Sequence, residues 1–149
     1  MTDAERAALL ARPLTCHLGC LDPEGYPYVV PVWFTYADGG FYIAGRARSA
    51  WADFLERDGR VSLCIDGGAD DPGARVLVKG TATPVEPVGT EGRWVTIARD
   101  MSVRYLGDDE GLAYFARTRT EPRRLFFVRP LRLTDWVGGW AGKYKHSNW

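Results

Sequence analysis

Phe41-Tyr42-Ile43-Ala44-Gly45-Arg46-Ala47-Arg48-Ser49-Ala50-Trp51 carries the chain from a strand into a helix. Phe41–Ala44 is aromatic and β-branched, which predicts a short strand. Trp51, Phe54 and Leu55 then repeat at helical spacing, predicting a helix from Ser49 to about Asp58. At the junction stand Arg46, Arg48 and, at the helix-start position, Ser49. A helix N-terminus offers free N–H groups and a partial positive charge. The junction therefore reads as a phosphate cradle. The plain alternative is that Ser49 only caps the helix and the arginines are solvated.

Working outward, Tyr28–Tyr36 is the strongest strand pattern, with Val29, Val30, Val32, Trp33, Phe34 and Thr35 all favouring extension. Pro31 cannot donate to a ladder, so an edge, a bulge or an exposed backbone is expected there. Ala37-Asp38-Gly39-Gly40 predicts a tight turn that joins this strand to Phe41–Ala44 as a hairpin. Upstream, Thr2-Asp3-Ala4-Glu5 reads as a capping box for a helix to Leu10, ended by Pro13. Leu14–Leu21 reads as a strand and Asp22–Gly25 as a turn. Downstream, Val61–Ile65 alternates as a half-buried strand, Asp66–Ala74 reads as a polar loop, and Arg75–Val85 as a strand. A helix is expected from about Glu91 to Leu106, with Trp94, Ile97, Ala98, Met101 and Tyr105 on one apolar face. A shorter helix should turn Leu112, Phe115 and Ala116 inward, and Leu125–Trp136 forms the last strand. Strands with inserted helices predict a mainly β fold: a closed or half-closed antiparallel β-barrel decorated by helices, in a single domain over residues 1–149.

Composition narrows the function. The chain has 149 residues, with 19 basic and 19 acidic side chains that cancel, which argues against nucleic-acid and membrane-surface partners. No apolar run resembles a signal peptide or reaches the roughly 18 residues of a membrane helix, so a cytoplasmic location is expected. Three cysteines are too few and too odd for a disulfide framework. Six tryptophans suggest a flat aromatic ligand or a subunit interface.

Other chemistries fit poorly. Cys16, His17 and Cys20 invite a metal, but four strand residues span roughly 13 Å and His17 would face away. Core cysteines are the better reading, and no metal is expected. His146 has no serine or acidic companion motif, so no hydrolase triad is argued. No Walker or G-x-G-x-x-G pattern occurs. Asp66, Asp70 and Asp71 lack calcium-loop spacing. What remains is a phosphate cradle, many aromatic rings and an exposed strand at Pro31. Together these suit a flat, phosphorylated cofactor that carries the redox chemistry itself.

With these features in order, the sequence resembles the pyridoxamine 5'-phosphate oxidase-like family of FMN-binding split barrels. His17–Pro27 matches the family's opening strand and turn, and Val29–Phe34 its second strand. Arg46–Trp51 followed by Phe54–Val61 matches its phosphate loop, helix and fourth strand. Arg104-Tyr105-Leu106-Gly107 and the pair Trp136 and Trp140 resemble landmarks of an actinobacterial subgroup related to enzymes that use FMN or the deazaflavin coenzyme F-420.

The resemblance implies an antiparallel split barrel of Greek-key type and a homodimer with cofactor sites between subunits. It places Val30, Pro31 and Val32 beside the flavin ring. Arg46, Arg48 and Ser49 would hold phosphate, and Trp136, Trp140 and Lys143 would complete the pocket, from the partner subunit in one arrangement. The family's loop commonly reads Ser-Arg-Lys, whereas this chain has Ser49-Ala50-Trp51. Trp51 then either packs inward or narrows the phosphate end of the site. The basic ending of pyridoxamine-phosphate oxidase itself is not recognisable in Lys143–Trp149.

The implied activity is hydride transfer between bound FMN, or a deazaflavin, and a small conjugated or aromatic acceptor. Relatives reduce biliverdin, quinones and enones or degrade haem. No side chain is an obvious acid or base, and Tyr144, His146 or water would donate a proton. The alternative from another class is a carrier or sensor that binds flavin or haem without turnover.

Overall fold

A computed structural model of the chain describes residues 1–138. The elements run α1 (Asp3–Leu10), β1 (Cys16–Leu21), β2 (Pro27–Val32), β3 (Thr35–Ala37), β4 (Gly40–Arg46), α2 (Ala50–Arg57), β5 (Arg60–Gly67), β6 (Asp71–Pro84), α3 (Trp94–Leu106), α4 (Asp108–Thr118) and β7 (Arg123–Trp136). One seven-stranded sheet has the order β2-β1-β5-β6-β7-β4-β3. Every pairing in it is antiparallel.

The apolar run Tyr28–Tyr36 is not one strand but two, and they lie at opposite edges of the sheet. Only Trp33 and Phe34 separate them. The three Cα steps from Val32 to Thr35 span at most roughly 11 Å. The edges of a flat seven-stranded sheet would stand roughly 29 Å apart. The sheet must therefore curl until its edges meet, which makes it the expected split barrel. Pro31 sits on the edge strand β2, where its missing N–H costs no ladder bond. The hairpin forms as expected: β3 pairs with β4 through Asp38 and Gly39, both at positive φ, the geometry of a primed turn.

The barrel interior is filled by Leu18, Phe34, Phe41, Ile43, Ile65 and Phe126, all fully buried. Helix α2 closes it with Trp51, Ala52 and Leu55, and α1 adds Leu9 and Leu10. Trp51 is only 7% exposed and packs its ring against Phe126 at 5.9 Å between centroids. Its indole also lies on the backbone of β4, because a Cβ at Gly45 would come within 2.5 Å of the Trp51 Cζ2. Of the two readings of Trp51, inward packing is the one observed. Cys16 and Cys20 are buried, as expected of core cysteines, and His17 is exposed between them.

Other boundaries shift for local reasons. The expected loop Asp66–Ala74 is mostly strand: β5 and β6 close through a short turn in which the Asp66 carboxylate accepts from the Gly68 N–H at 2.9 Å. Helix α3 starts at Trp94 rather than Glu91, because the Glu86 carboxylate accepts from the Arg93 and Trp94 N–H groups at 2.8 and 2.9 Å. In α4, Leu112 and Ala116 are exposed, contrary to expectation. Gly111 instead meets α3, with space for a Cβ closed by Val103 Cα at 2.5 Å. The buried stripe of α4 then runs through Gly111 and Thr118, with Phe115 half-buried.

Two stability predictions follow from these contacts. Gly45→Ala should overpack the indole and cost about 1–3 kcal/mol. In a Trp51→Phe background the added methyl has room, so the same change should cost distinctly less. Denaturant midpoints of the four proteins in this cycle measure the coupling, and additive values would refute the contact.

Asp135 accepts from the Met1 amino group at 2.8 Å and from Arg6 Nη1 at 2.7 Å. Burial pushes this carboxyl up, but those bonds outweigh it and hold it below the usual range. Its contribution is therefore present above the unfolded carboxylate value of about 3.9 and is lost as pH falls through the depressed folded value. Asp135→Asn should lower stability by about 2 kcal/mol at pH 7. It should also flatten the acid limb of a plot of stability against pH.

Candidate functional site

The barrel seam is open where its strands stop matching. β3 covers β4 only from Gly40 to Tyr42. The rest of β4 pairs with β7 on its other side, leaving Ala44–Arg46 facing the seam. A cleft of about 410 Å³ fills this gap. That volume lies within the usual range for small-molecule sites.

One wall is Pro31, Val32 and Trp33, from the end of β2 and the crossover. Ala44, Gly45 and Arg46 form the facing wall, with Ser49 and Trp51 at the floor. Helices α3 and α4 close the top with Ala98, Met101, Ser102 and Tyr114. Trp33 is fixed by a near-parallel stack on Tyr105, 4.7 Å between centroids and 12° between planes. The Tyr105 hydroxyl donates to the Leu14 carbonyl at 2.6 Å and accepts from the Phe34 N–H at 3.4 Å. Burial pushes the Tyr105 phenol up, so it stays a neutral donor.

The polar end of the cleft is a cluster of guanidinium groups. Arg46 Nη2 donates to the Tyr114 hydroxyl at 3.2 Å. Its Nη1 forms an ion pair with Glu121 Oε2 at 2.5 Å. Directly opposite Arg46 in the β4–β7 ladder stands Arg123, which also lines the cleft. Arg123 is 7% exposed. It donates through Nη2 to Thr118 Oγ1 at 2.8 Å and lies over the Trp94 ring, while its Nε has no partner. Burial pushes the Arg123 guanidinium down, and the Arg46 charge adds to that.

The cleft gathers Pro31, Val32, Arg46, Ser49 and Trp51 of the residues singled out in the sequence. Ser49 occupies the N-cap position of α2, but its side chain makes no capping bond. Arg48 does not line the cleft. Its side chain is 82% exposed, and its Nη1 lies 3.5 Å from the same Glu121 oxygen. Val30 packs toward the barrel core. Trp136 ends β7, whose 14 residues place it roughly 45 Å of extended chain from the Arg123 end. Within one subunit it is not part of this cleft. Trp140 and Lys143, with Tyr144 and His146, lie outside the described residues.

Sequence reasoning missed Arg123, Trp33, Ser102 and Tyr114. Arg123 had a signal: a charged residue at the start of a strand that must pair with the strand ending at Arg46. Reading it required knowing that β7 neighbours β4. The helix residues came to the site only through the packing of α3 and α4.

The fold is shared with several solved structures. It is 26% identical to a conserved hypothetical protein from Mycobacterium tuberculosis, with 92% of this chain and 85% of that one aligned and a TM-score of 0.71. An F-420 reductase aligns at 20% identity over 85% of this chain and 94% of its own, with a TM-score of 0.64. The haem-storage protein HutZ from Vibrio cholerae aligns at 18% identity, 91% and 93% coverage, and a TM-score of 0.64. No curated protein gives a significant match. The family profile described as pyridoxamine 5'-phosphate oxidase matches residues 2–136, nearly the whole described chain. With that match and a split barrel whose seam holds the cleft, the chain belongs to the pyridoxamine 5'-phosphate oxidase family.

Proposed function

We propose that the protein is an oxidoreductase that works through a flavin-type cofactor held in the seam cleft, with FMN the first choice and the deazaflavin F-420 the second. The observation that carries this reading is the cleft's polarity. One end is apolar and aromatic, and the other is lined by the guanidinium groups of Arg46 and Arg123. That pattern fits a flat ring with an anionic tail. Bound flavin would supply hydride transfer to a conjugated or aromatic acceptor.

The chain's own residues then have defined tasks. Pro31, Val32 and Trp33 would flank the ring, with Trp33 held in place by its stack on Tyr105. Ala98 and Met101 exclude water from the top of the cleft. Tyr114 is a hydroxyl donor within it. Trp136, Trp140 and Lys143 would complete the pocket from the partner subunit. A cytoplasmic location is part of this proposal, and the buried thiols of Cys16 and Cys20 suit it. A carrier without turnover is the second reading, supported by Trp51 standing where the family loop commonly has lysine.

A homodimer is part of this proposal. The outer face of the sheet carries an apolar groove of about 380 Å³ lined by Val29, Leu77 and the Arg132 stem, among others. Nearby, Val29 is 64% and Leu131 67% exposed in the isolated subunit. Exposed branched side chains beside an apolar groove are what burial against a second copy would cover. Sedimentation should give a dimer at micromolar concentration, and Val29→Asp with Leu131→Asp should shift it to monomer. A stable wild-type monomer would remove the shared site.

Titration of the purified protein with FMN and with F-420 tests the cofactor. FMN should bind, and NAD(P)H with a quinone acceptor should cycle its absorbance. Arg46→Ala should weaken binding by roughly 1.5–3 kcal/mol, and Arg48→Ala by much less because Arg48 is exposed. A flavin that binds and never cycles with any donor would favour the carrier.

A further inference from the structure

Arg123 is costly to the fold as it stands. It is buried with Nε unpartnered, and Arg46 stands opposite it in the ladder. Like charges directly opposite in a sheet destabilise it, and a buried donor without an acceptor adds to that cost. The Trp94 ring beneath the guanidinium offsets part of it. The Thr118 hydroxyl takes one donor. Neither removes the repulsion between the two cations. Glu121 is the nearest counter-charge, and its one carboxylate is shared between Arg46 and Arg48.

Arg46 and Arg123 with the single carboxylate of Glu121 leave a net positive charge at one end of the cleft. A phosphate monoester carries about −1.5 to −2 at neutral pH, with several acceptor oxygens. It would pair with the guanidinium groups of Arg123 and Arg46 together, both of which line the cleft. We propose that Arg123 and Arg46 form a phosphate-monoester anchor built on the ends of β7 and β4, in place of cations on the Ser49-Ala50-Trp51 loop. Glu121 is its internal competitor: it holds Arg46 in the free protein and gives it up to the phosphate. The proposal rests on the flavin reading for the identity of its ligand, but the anchor itself concerns only the phosphate.

The test compares FMN with riboflavin, which has the same ring and no phosphate. Both are titrated against wild type, Arg123→Gln, Arg123→Lys and Glu121→Gln, with Tm measured for each protein to verify folding. Wild type should prefer FMN by tenfold or more. Arg123→Gln should lose most of that preference while riboflavin affinity stays the same, and Arg123→Lys should keep part of it. Glu121→Gln should tighten FMN several-fold and leave riboflavin unchanged. This variant keeps the proposal testable if Arg123→Gln does not fold, because Glu121 is partly exposed.

Equal affinity for FMN and riboflavin in wild type would overturn the anchor and leave the flavin reading standing. So would a preference that survives in Arg123→Gln, or weaker FMN binding in Glu121→Gln. A different pattern would separate the two ideas the other way. If neither flavin binds, but inorganic phosphate raises the Tm of wild type and not of Arg123→Gln, the anchor holds and the flavin reading falls. If neither flavin binds and phosphate has no effect, both are overturned.

Discussion

Two residues, Trp33 and Phe34, set the geometry of this protein. They join strands at opposite edges of a seven-stranded sheet, and so short a link forces the sheet to curl. Phe34 goes to the barrel centre, where it is fully buried, while Trp33 turns into the seam. The crossover backbone needs hydrogen-bond partners that no neighbouring strand supplies. Tyr105 of α3 provides one, taking the Phe34 N–H and returning its own proton to Leu14. The helix that roofs the cleft is therefore also the brace that holds the seam. Helix packing, strand crossing and cleft shape are coupled through one phenol.

The seam explains why a cleft exists where the barrel should be densest. β3 is three residues long and β4 seven, so the second half of β4 has a free side. Glycine at position 45 leaves that side without a side chain, and the Trp51 indole rises against it from α2. The floor of the cleft is thus core, built by the same contact that seats the helix. Its polar end comes from the antiparallel register, which sets Arg46 and Arg123 opposite one another.

The sequence made the local elements legible and left the long-range ones hidden. The β3–β4 hairpin was readable because Asp38-Gly39 adopts positive φ at both positions, a requirement written in residue type. The strand–helix junction at Arg46–Trp51 was readable from the change of apolar period. The break at Trp33–Phe34 was not, since aromatic residues continue a β pattern whichever sheet edge they serve. Helix α4 misled for a related reason. Its contact with α3 is chosen by the absence of a side chain at Gly111, and periodicity counts only side chains that are present. In the cleft, Pro31, Arg46 and Ser49 are legible from local pattern and Val32 and Trp51 only through the family resemblance, and the five lie together. Arg48, next to Ser49 and two residues from Arg46, is exposed instead, because local spacing fixes proximity along the chain but not which way a side chain turns.

Trp51 links these levels. In the resembling family this loop position commonly holds a lysine, which reads as the loss of a phosphate ligand. Here position 51 belongs to the barrel core, beside Phe126 and against Gly45. A cation at that point would be buried without a partner, at a cost of several kcal/mol. With the core claiming position 51, the guanidinium groups that line this end of the cleft stand on the strand ends that flank it. Arg46 and Arg123 occupy those ends. Arginine suits position 123 better than lysine, because its planar guanidinium can lie over Trp94 and still donate to the Thr118 hydroxyl.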